Sequence, residues 1–109
     1  MEKARKEILK MQKERNWKQF HTPVNIAKSI SIEAGELLEC FQWNNDDFNK
    51  EDVVDELADI VNYAILMADT LDVDLETIVL NKIEKNKEKY PIEKSWNNSK
   101  KYTEFNREK

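Results

Sequence analysis

One glycine in 109 residues is too few for a sheet protein, whose tight turns draw on glycine for positive backbone angles. Two prolines and a charged fraction of 37% point the same way, towards long helices with short connections. The glycine shortage also excludes a P-loop and a dinucleotide fingerprint, so any phosphate has to be held by a metal and by cationic side chains. Cys40 is the sole cysteine, which excludes a disulfide within the chain and makes the reducing cytoplasm the expected compartment. The longest apolar run, Ala64 to Ala68, is too short to span a bilayer or to form the core of a signal sequence, and the N-terminus (Glu2, Lys3, Arg5, Lys6) is charged. A soluble, unprocessed chain with no membrane partner is therefore expected. With His21 its only histidine, the chain also lacks the paired Glu-x-x-His motifs of ferritin-like di-iron proteins.

Acid is what the chain has in plenty, and it is unevenly placed. The net charge is −4, yet residues 31–76 hold fourteen acids against one base, Lys50, while the two flanks together hold eight acids against seventeen bases. A middle that attracts cations between segments that attract anions suits a metal-dependent site for a phosphorylated ligand; solvated helix faces fit the same charge pattern equally well. The acidic balance and the lack of a continuous basic helix face speak against nucleic acid as a partner.

Hydrophobic periodicity divides the chain into four helices and a tail within one all-α domain spanning residues 1–109. Ala4, Ile8, Met11 and Arg15 share one side of a first helix expected from Glu2 to about Lys18. Thr22 followed by Pro23 reads as N-cap and first residue of a second helix that ends near Phe41, with Ile26, Ala27, Ile30, Ala34, Leu37, Leu38 and Phe41 as its core stripe. Asn44 to Asp47 is a loop. Asn49 caps a third helix reaching Leu71, with Glu51 and Asp52 placed favourably against its dipole. Apolar residues cover about half the circumference of that helix at ~100° per residue, so it is expected either at the centre of the core or at a subunit interface. Asp74 caps a fourth helix that Pro91 stops at Tyr90, and 92–109 reads as an extended arm. At this length the core is modest, and burial between subunits is a natural supplement.

Four of the acids form two helical pairs, Glu33/Glu36 and Glu56/Asp59, each spaced i, i+3 so that both side chains share a face at the edge of the apolar stripe. If the second and third helices pack, four acids converge. At ~6 Å and an effective dielectric near 20, each like-charged pair repels by roughly 2–3 kcal/mol, a large fraction of a small domain's stability. A divalent cation removes that cost, and all-oxygen ligands suit Mg²⁺ or Mn²⁺. Pairing with Lys or Arg is the competing explanation, but the middle of the chain supplies only Lys50. On the third helix Asp52, Glu56, Asp59 and Tyr63 form one narrow seam beside the apolar arc.

Lys82 and Asn86 fall on the apolar face of the fourth helix, where polar groups need a reason: contact with nucleotide phosphates, or simple neutralisation of one of the acids. Trp17, Phe20 and Trp43 lie close in sequence to the ends of the first two helices, Trp17 and Phe20 beside His21. Such residues stack on a nucleobase, and they also seal small cores. Gly35 lies inside the first acid pair, where a helical glycine costs ~1 kcal/mol relative to alanine. A close approach by a neighbouring helix would account for it.

These residues resemble the all-α nucleoside triphosphate pyrophosphatases of the MazG type, in particular the dCTP pyrophosphatase-like branch. The resemblance covers most of the chain and rests on Arg15-Asn16-Trp17-Lys18-Gln19-Phe20-His21-Thr22-Pro23-Val24-Asn25, then Glu33-Ala34-Gly35-Glu36-Leu37 and Phe41-Gln42-Trp43. It continues through Asp55-Glu56-Leu57-Ala58-Asp59-Ile60 with Tyr63, and ends on Lys82, Asn86, Tyr90-Pro91 and Lys101-Tyr102. It implies a four- to five-helix bundle, active as a homo-oligomer (dimer or tetramer), in which Glu33, Glu36, Glu56 and Asp59 bind Mg²⁺. The implied reaction cuts a (d)NTP between its α and β phosphates to give (d)NMP and pyrophosphate, a house-cleaning activity on the nucleotide pool. Trp17, Phe20, His21, Trp43 and Tyr63 are implied to contact the nucleotide, with Lys82 and Asn86 near its phosphates. Animal members of this branch carry a histidine at the register of Ile8, so the base preference of this chain stays open. Glu36, further from the core stripe than Glu33, is one candidate base towards the attacking water, and proton transfer through metal-bound hydroxide without a dedicated base is equally admissible, with Glu56 also essential; the alternative function is a catalytically silent helical module that binds nucleotide without cutting it.

Overall fold

A computed structural model describes residues 1–97, and every regular element among them is a helix. In order these are α1 (Glu2–Glu14), a 3₁₀ turn (Lys18–Phe20), α2 (Pro23–Glu39), α3 (Lys50–Thr70), α4 (Leu75–Lys89) and α5 (Ile92–Ser95). The chain forms two compact units, residues 1–75 and residues 76 onwards.

Local chemistry sets the helix ends in the first unit. The Thr22 hydroxyl accepts a hydrogen bond from the Asn25 amide at 3.3 Å, and Pro23 occupies the first turn of α2, where it loses no helical bond. Asn49 caps α3 in the same way, accepting from the Asp52 amide at 3.2 Å. Between α2 and α3 the Asn44 side chain accepts from the amides of Asp46 and Asp47, closing the expected loop.

The first helix is shorter than its periodicity suggests, ending at Glu14 instead of about Lys18. Asn16 adopts a left-handed conformation (φ 54°), the Trp17 amide donates back to the Gln12 carbonyl at 3.0 Å, and the Asn16 amide to Lys13 at 3.1 Å. This is a Schellman stop, built on asparagine where most proteins use glycine. Asp72 (φ 55°) ends α3 by the same device, with the Val73 amide bonded to the Ala68 carbonyl.

The core of this unit lies where α3 packs against α2 and α1. Ile26, Ile65, Leu66 and Ala68 are buried, Ile26 with only 1% of its surface exposed. The Arg5 guanidinium donates to Asp69 at 3.1 Å, tying α1 to α3. The expectation of a central α3 holds for its C-terminal half, while Val54 and Leu57 in its N-terminal half are exposed in the single chain. Gly35 corrects another expectation. A Cβ there would meet open space, so no helix among the described residues approaches it closely.

Helix α4 starts directly after Asp74, on the last residue of the first unit, and runs through the second unit to end one residue before Tyr90. Its apolar residues Val79 and Ile83 are exposed, as are Lys82 and Asn86, so the polar pair is not set in a buried face. The arm expected from residue 92 begins as the short helix α5; the rest of it, with Lys101 and Tyr102, lies outside the described residues. Among the described residues no helix is long and apolar enough to cross a membrane.

Candidate metal centre and base pocket

Packing of α2 on α3 brings carboxylates together as the spacing predicts. Glu33 of α2 and Glu56 and Asp59 of α3 each offer an oxygen within 4.8 Å of the others. Glu33 and Glu56 are half-buried, and Asp59 is exposed. The Oε2 atoms of Glu33 and Glu56 are both buried without a hydrogen-bond partner. Orphaned carboxylate oxygens are costly in a protein interior unless a proton or a cation satisfies them.

Without a cation, the arrangement favours a proton on the pair. The hydrogen bond to Glu56 is the main reason the Glu33 carboxyl is pushed up from 4.5 to about 7, followed by burial and the neighbouring charges of Glu36 and Asp59. For Glu56 the bond to Glu33 acts in the opposite sense, but burial, Glu36 and Asp59 outweigh it, and its pKa also ends raised. One proton shared between Glu33 and Glu56 accounts for both shifts. The unsatisfied, hard oxygen donors fit a divalent cation such as Mg²⁺ or Mn²⁺.

Glu36, the fourth expected ligand, is not among the three acids whose oxygens all lie within 4.8 Å of one another, but its carboxyl hydrogen-bonds with those of Glu33 and Glu56. It is exposed, remains close enough to raise the pKa of both Glu33 and Glu56, and lines an acidic hollow with Glu39, Asp52, Asp55 and Glu56. Cys40 borders the same hollow, its Sγ hydrogen-bonded to the Glu36 carbonyl. Burial, then the charges of Asp52 and Glu56, push its pKa up, so it persists as a thiol and not as a soft thiolate ligand.

On the other side of Asp59 lies a cavity of about 100 Å³. Its wall includes Ile8, Met11 and Gln12 from α1, Trp17 and His21 from the connection to α2, and Asp59, Asn62, Tyr63 and Leu66 from α3. Trp17 and His21 meet edge to face with ring centroids 6.3 Å apart, and the Arg15 guanidinium sits 5.7 Å from the Trp17 ring centroid. The volume is below the ~300 Å³ typical of a site for a drug-sized ligand, and suits a single flat ring.

Of the expected nucleotide contacts, Trp17, His21 and Tyr63 therefore converge. Phe20 and Trp43 do not: Phe20 is 59% exposed on the 3₁₀ turn and Trp43 is 90% exposed on the α2–α3 loop, outside the cavity. Lys82 and Asn86 belong to the second unit. Two amides that sequence reasoning passed over, Gln12 and Asn62, complete the wall. Each was visible as a polar interruption of an apolar stretch, Gln12 one turn after Ile8 and Asn62 between Val61 and Tyr63.

The model of the MazG-like family matches residues 28–105, well over half of the chain and including all four acids. The chain belongs to the MazG-like family. It is 36% identical over 101 residues to dCTP pyrophosphatase 1 of Homo sapiens, a match covering 84% of this chain and 59% of that protein. To dCTP pyrophosphatase 1 of Rattus norvegicus it is 34% identical over 103 residues, 86% of this chain and 61% of the relative. The MazG-like chain thus spans about three fifths of the length of these curated relatives. Among solved structures it resembles a pyrophosphatase from Archaeoglobus fulgidus, with a TM-score of 0.73 and 34% identity, covering 84% of this chain and 92% of that one.

Proposed function

We propose that this MazG-like protein is a divalent-metal-dependent nucleoside triphosphate pyrophosphohydrolase converting a (d)NTP and water to (d)NMP and pyrophosphate. The observation that carries this reading is the double membership of Asp59, which lines the ring-sized cavity and belongs to the carboxylate group. A nucleotide whose base enters the cavity has its phosphates in reach of the acids. The names of the relatives, dCTP pyrophosphatase 1 and pyrophosphatase, support the same chemistry.

Glu33, Glu56 and Asp59 would hold the cation, with Mg²⁺ the first choice and Mn²⁺ an acceptable substitute for an all-oxygen donor set. When bound, the cation supplies positive charge to phosphate oxygens and to the leaving pyrophosphate. Trp17 and His21 grip the base, and Tyr63 borders it. Glu36, exposed beside the group, takes the proton from the water that attacks the α-phosphorus as the bond to the bridging oxygen breaks. Glu56 is needed for both the cation and the position of Glu36. Lys82 and Asn86 are proposed to meet the phosphates, and Phe20 and Trp43 to contact nucleotide from a neighbouring subunit.

The active form is proposed to be a homo-oligomer, since Val54 and Leu57 of α3 and Leu38 of α2 leave apolar surface uncovered in the single chain. With its one cysteine free, the protein suits the cytoplasm, and its partner is a small nucleotide, not nucleic acid or a membrane. A panel of dNTPs and NTPs, with and without Mg²⁺, tests the activity: pyrophosphate should appear as the first product and only with the metal. Orthophosphate as first product contradicts α,β cleavage, and tight binding without any product favours a silent nucleotide-binding module.

A further inference from the structure

Gln12 is a buried polar side chain, 6% exposed, in a unit whose other buried residues are apolar. Its Oε1 accepts a hydrogen bond from Nδ1 of His21, while its backbone carbonyl accepts from the Trp17 amide in the helix-ending turn. One residue thereby holds the His21 ring and the Trp17 backbone, two of the three aromatic residues of the cavity. His21 is held further through its main chain, its amide bonded to Lys18 and its carbonyl accepting from the Thr70 hydroxyl. An amide oxygen can only accept, so the neutral imidazole carries its proton on Nδ1, and Nε2 is left as the ring nitrogen available to a ligand, with a lone pair.

We propose that Gln12 is a positioning residue that locks His21 as the Nδ1–H tautomer, so that Nε2 accepts an amino hydrogen of the base and the pocket selects a 4-aminopyrimidine over its 4-keto counterpart. The inference rests on the reading of the cavity as a nucleotide base pocket. The small volume favours one ring over two, and an acceptor facing a keto oxygen leaves two acceptors opposed with no proton between them. The fixed lone pair supplies the discrimination, and the stacking surface of Trp17 serves either base equally.

Because His21 is the only histidine, its two ring nitrogens can be read without ambiguity by ¹⁵N–¹H correlation spectroscopy on the full chain. At about pH 8, where an ordinary imidazole is neutral, Nδ1 should be protonated and Nε2 bare. Metal-free dCMP should shift the Nε2 resonance and dUMP should not. Gln12→Met keeps the shape but removes the acceptor; the proton should move towards Nε2 and the kcat/KM ratio of dCTP to dUTP should fall about tenfold or more, through KM and not kcat. Gln12→Glu retains an acceptor and should retain both the tautomer and the ratio, which a role in packing alone does not predict. A wild-type ring protonated on Nε2, or a Gln12→Met variant that weakens both substrates equally, overturns the inference. If the wild type cleaves no triphosphate, the hydrolase reading fails by itself. The dCMP and dUMP spectra still decide the role of Gln12, a shift with dCMP alone supporting it and no shift with either overturning it.

Discussion

The two faces of Asp59 differ in whether folding alone completes them. On the side of α1, Gln12 holds His21, and Arg15 backs Trp17. On the side of α2, Glu33 and Glu56 each keep a buried oxygen without a protein partner. The difference teaches which part of the site is preformed and which part waits for something charged. A pocket that is already satisfied binds by shape, whereas a carboxylate group left unsatisfied stores a cost that a cation releases.

Substitutions on the two sides should therefore fail in different ways. Glu36→Gln and Glu56→Gln should have the largest effect, lowering kcat by ~10²–10⁴-fold with helical circular dichroism unchanged. Near-normal turnover in both would remove the catalytic assignment. Trp17→Ala should act chiefly on KM, since loss of one base-stacking aromatic costs about 1–3 kcal/mol, while kcat at saturation should change less. A Trp17 variant that lost kcat at unchanged KM would erase the distinction between the two sides.

Acid should stabilise the metal-free protein through the Glu33–Glu56 pair. The folded-state pKa of Glu33 lies near 7 against an ordinary 4.5, so the folded chain holds a proton that the unfolded chain releases between those values. The pair's contribution is then fully present below pH 4.5 and is lost as pH rises through about 7. Thermal melts in a chelator should show this decline, and Glu33→Gln, a permanent mimic of the protonated acid, should flatten it and raise the melting temperature at alkaline pH. A Glu33→Gln variant that melts lower than the wild type there would show that the acid is paired after all. The smallest effect belongs to Gly35→Ala: with open space around the new methyl group, it should stabilise α2 by about 0.5–1 kcal/mol in chemical denaturation.

Much of this was legible in the residues because the signals are local. Thr22-Pro23 and Asn49 announce the starts of α2 and α3 through bonds made within three residues, and i, i+3 spacing places acids on a helix face before any packing is known. The stop of α1 was missed because asparagine reaches the left-handed region less readily than glycine, so Asn16 was a weak signal beside a periodicity that ran on to Lys18. Gln12 was missed because its meaning lies in His21, nine residues away across a turn that periodicity did not foresee. Phe20 and Trp43 read as pocket residues by type, but type does not tell which way a helix-end side chain faces. Glu36 shares a helix face with Glu33 by spacing, and only the packing of α2 on α3 shows which acids bring an oxygen within 4.8 Å of each other.

The central claim is that Glu33, Glu56 and Asp59 form a cation site whose place is held by a proton when the cation is absent. Calorimetric titration of Mg²⁺ or Mn²⁺ into the chelator-treated protein at neutral pH, in two buffers of different ionisation enthalpy, tests it most directly. The account predicts binding with net proton release that fades as pH rises above about 7 and disappears in Glu33→Gln. Binding with no proton release at neutral pH, or unaltered binding in Glu33→Gln, would contradict it.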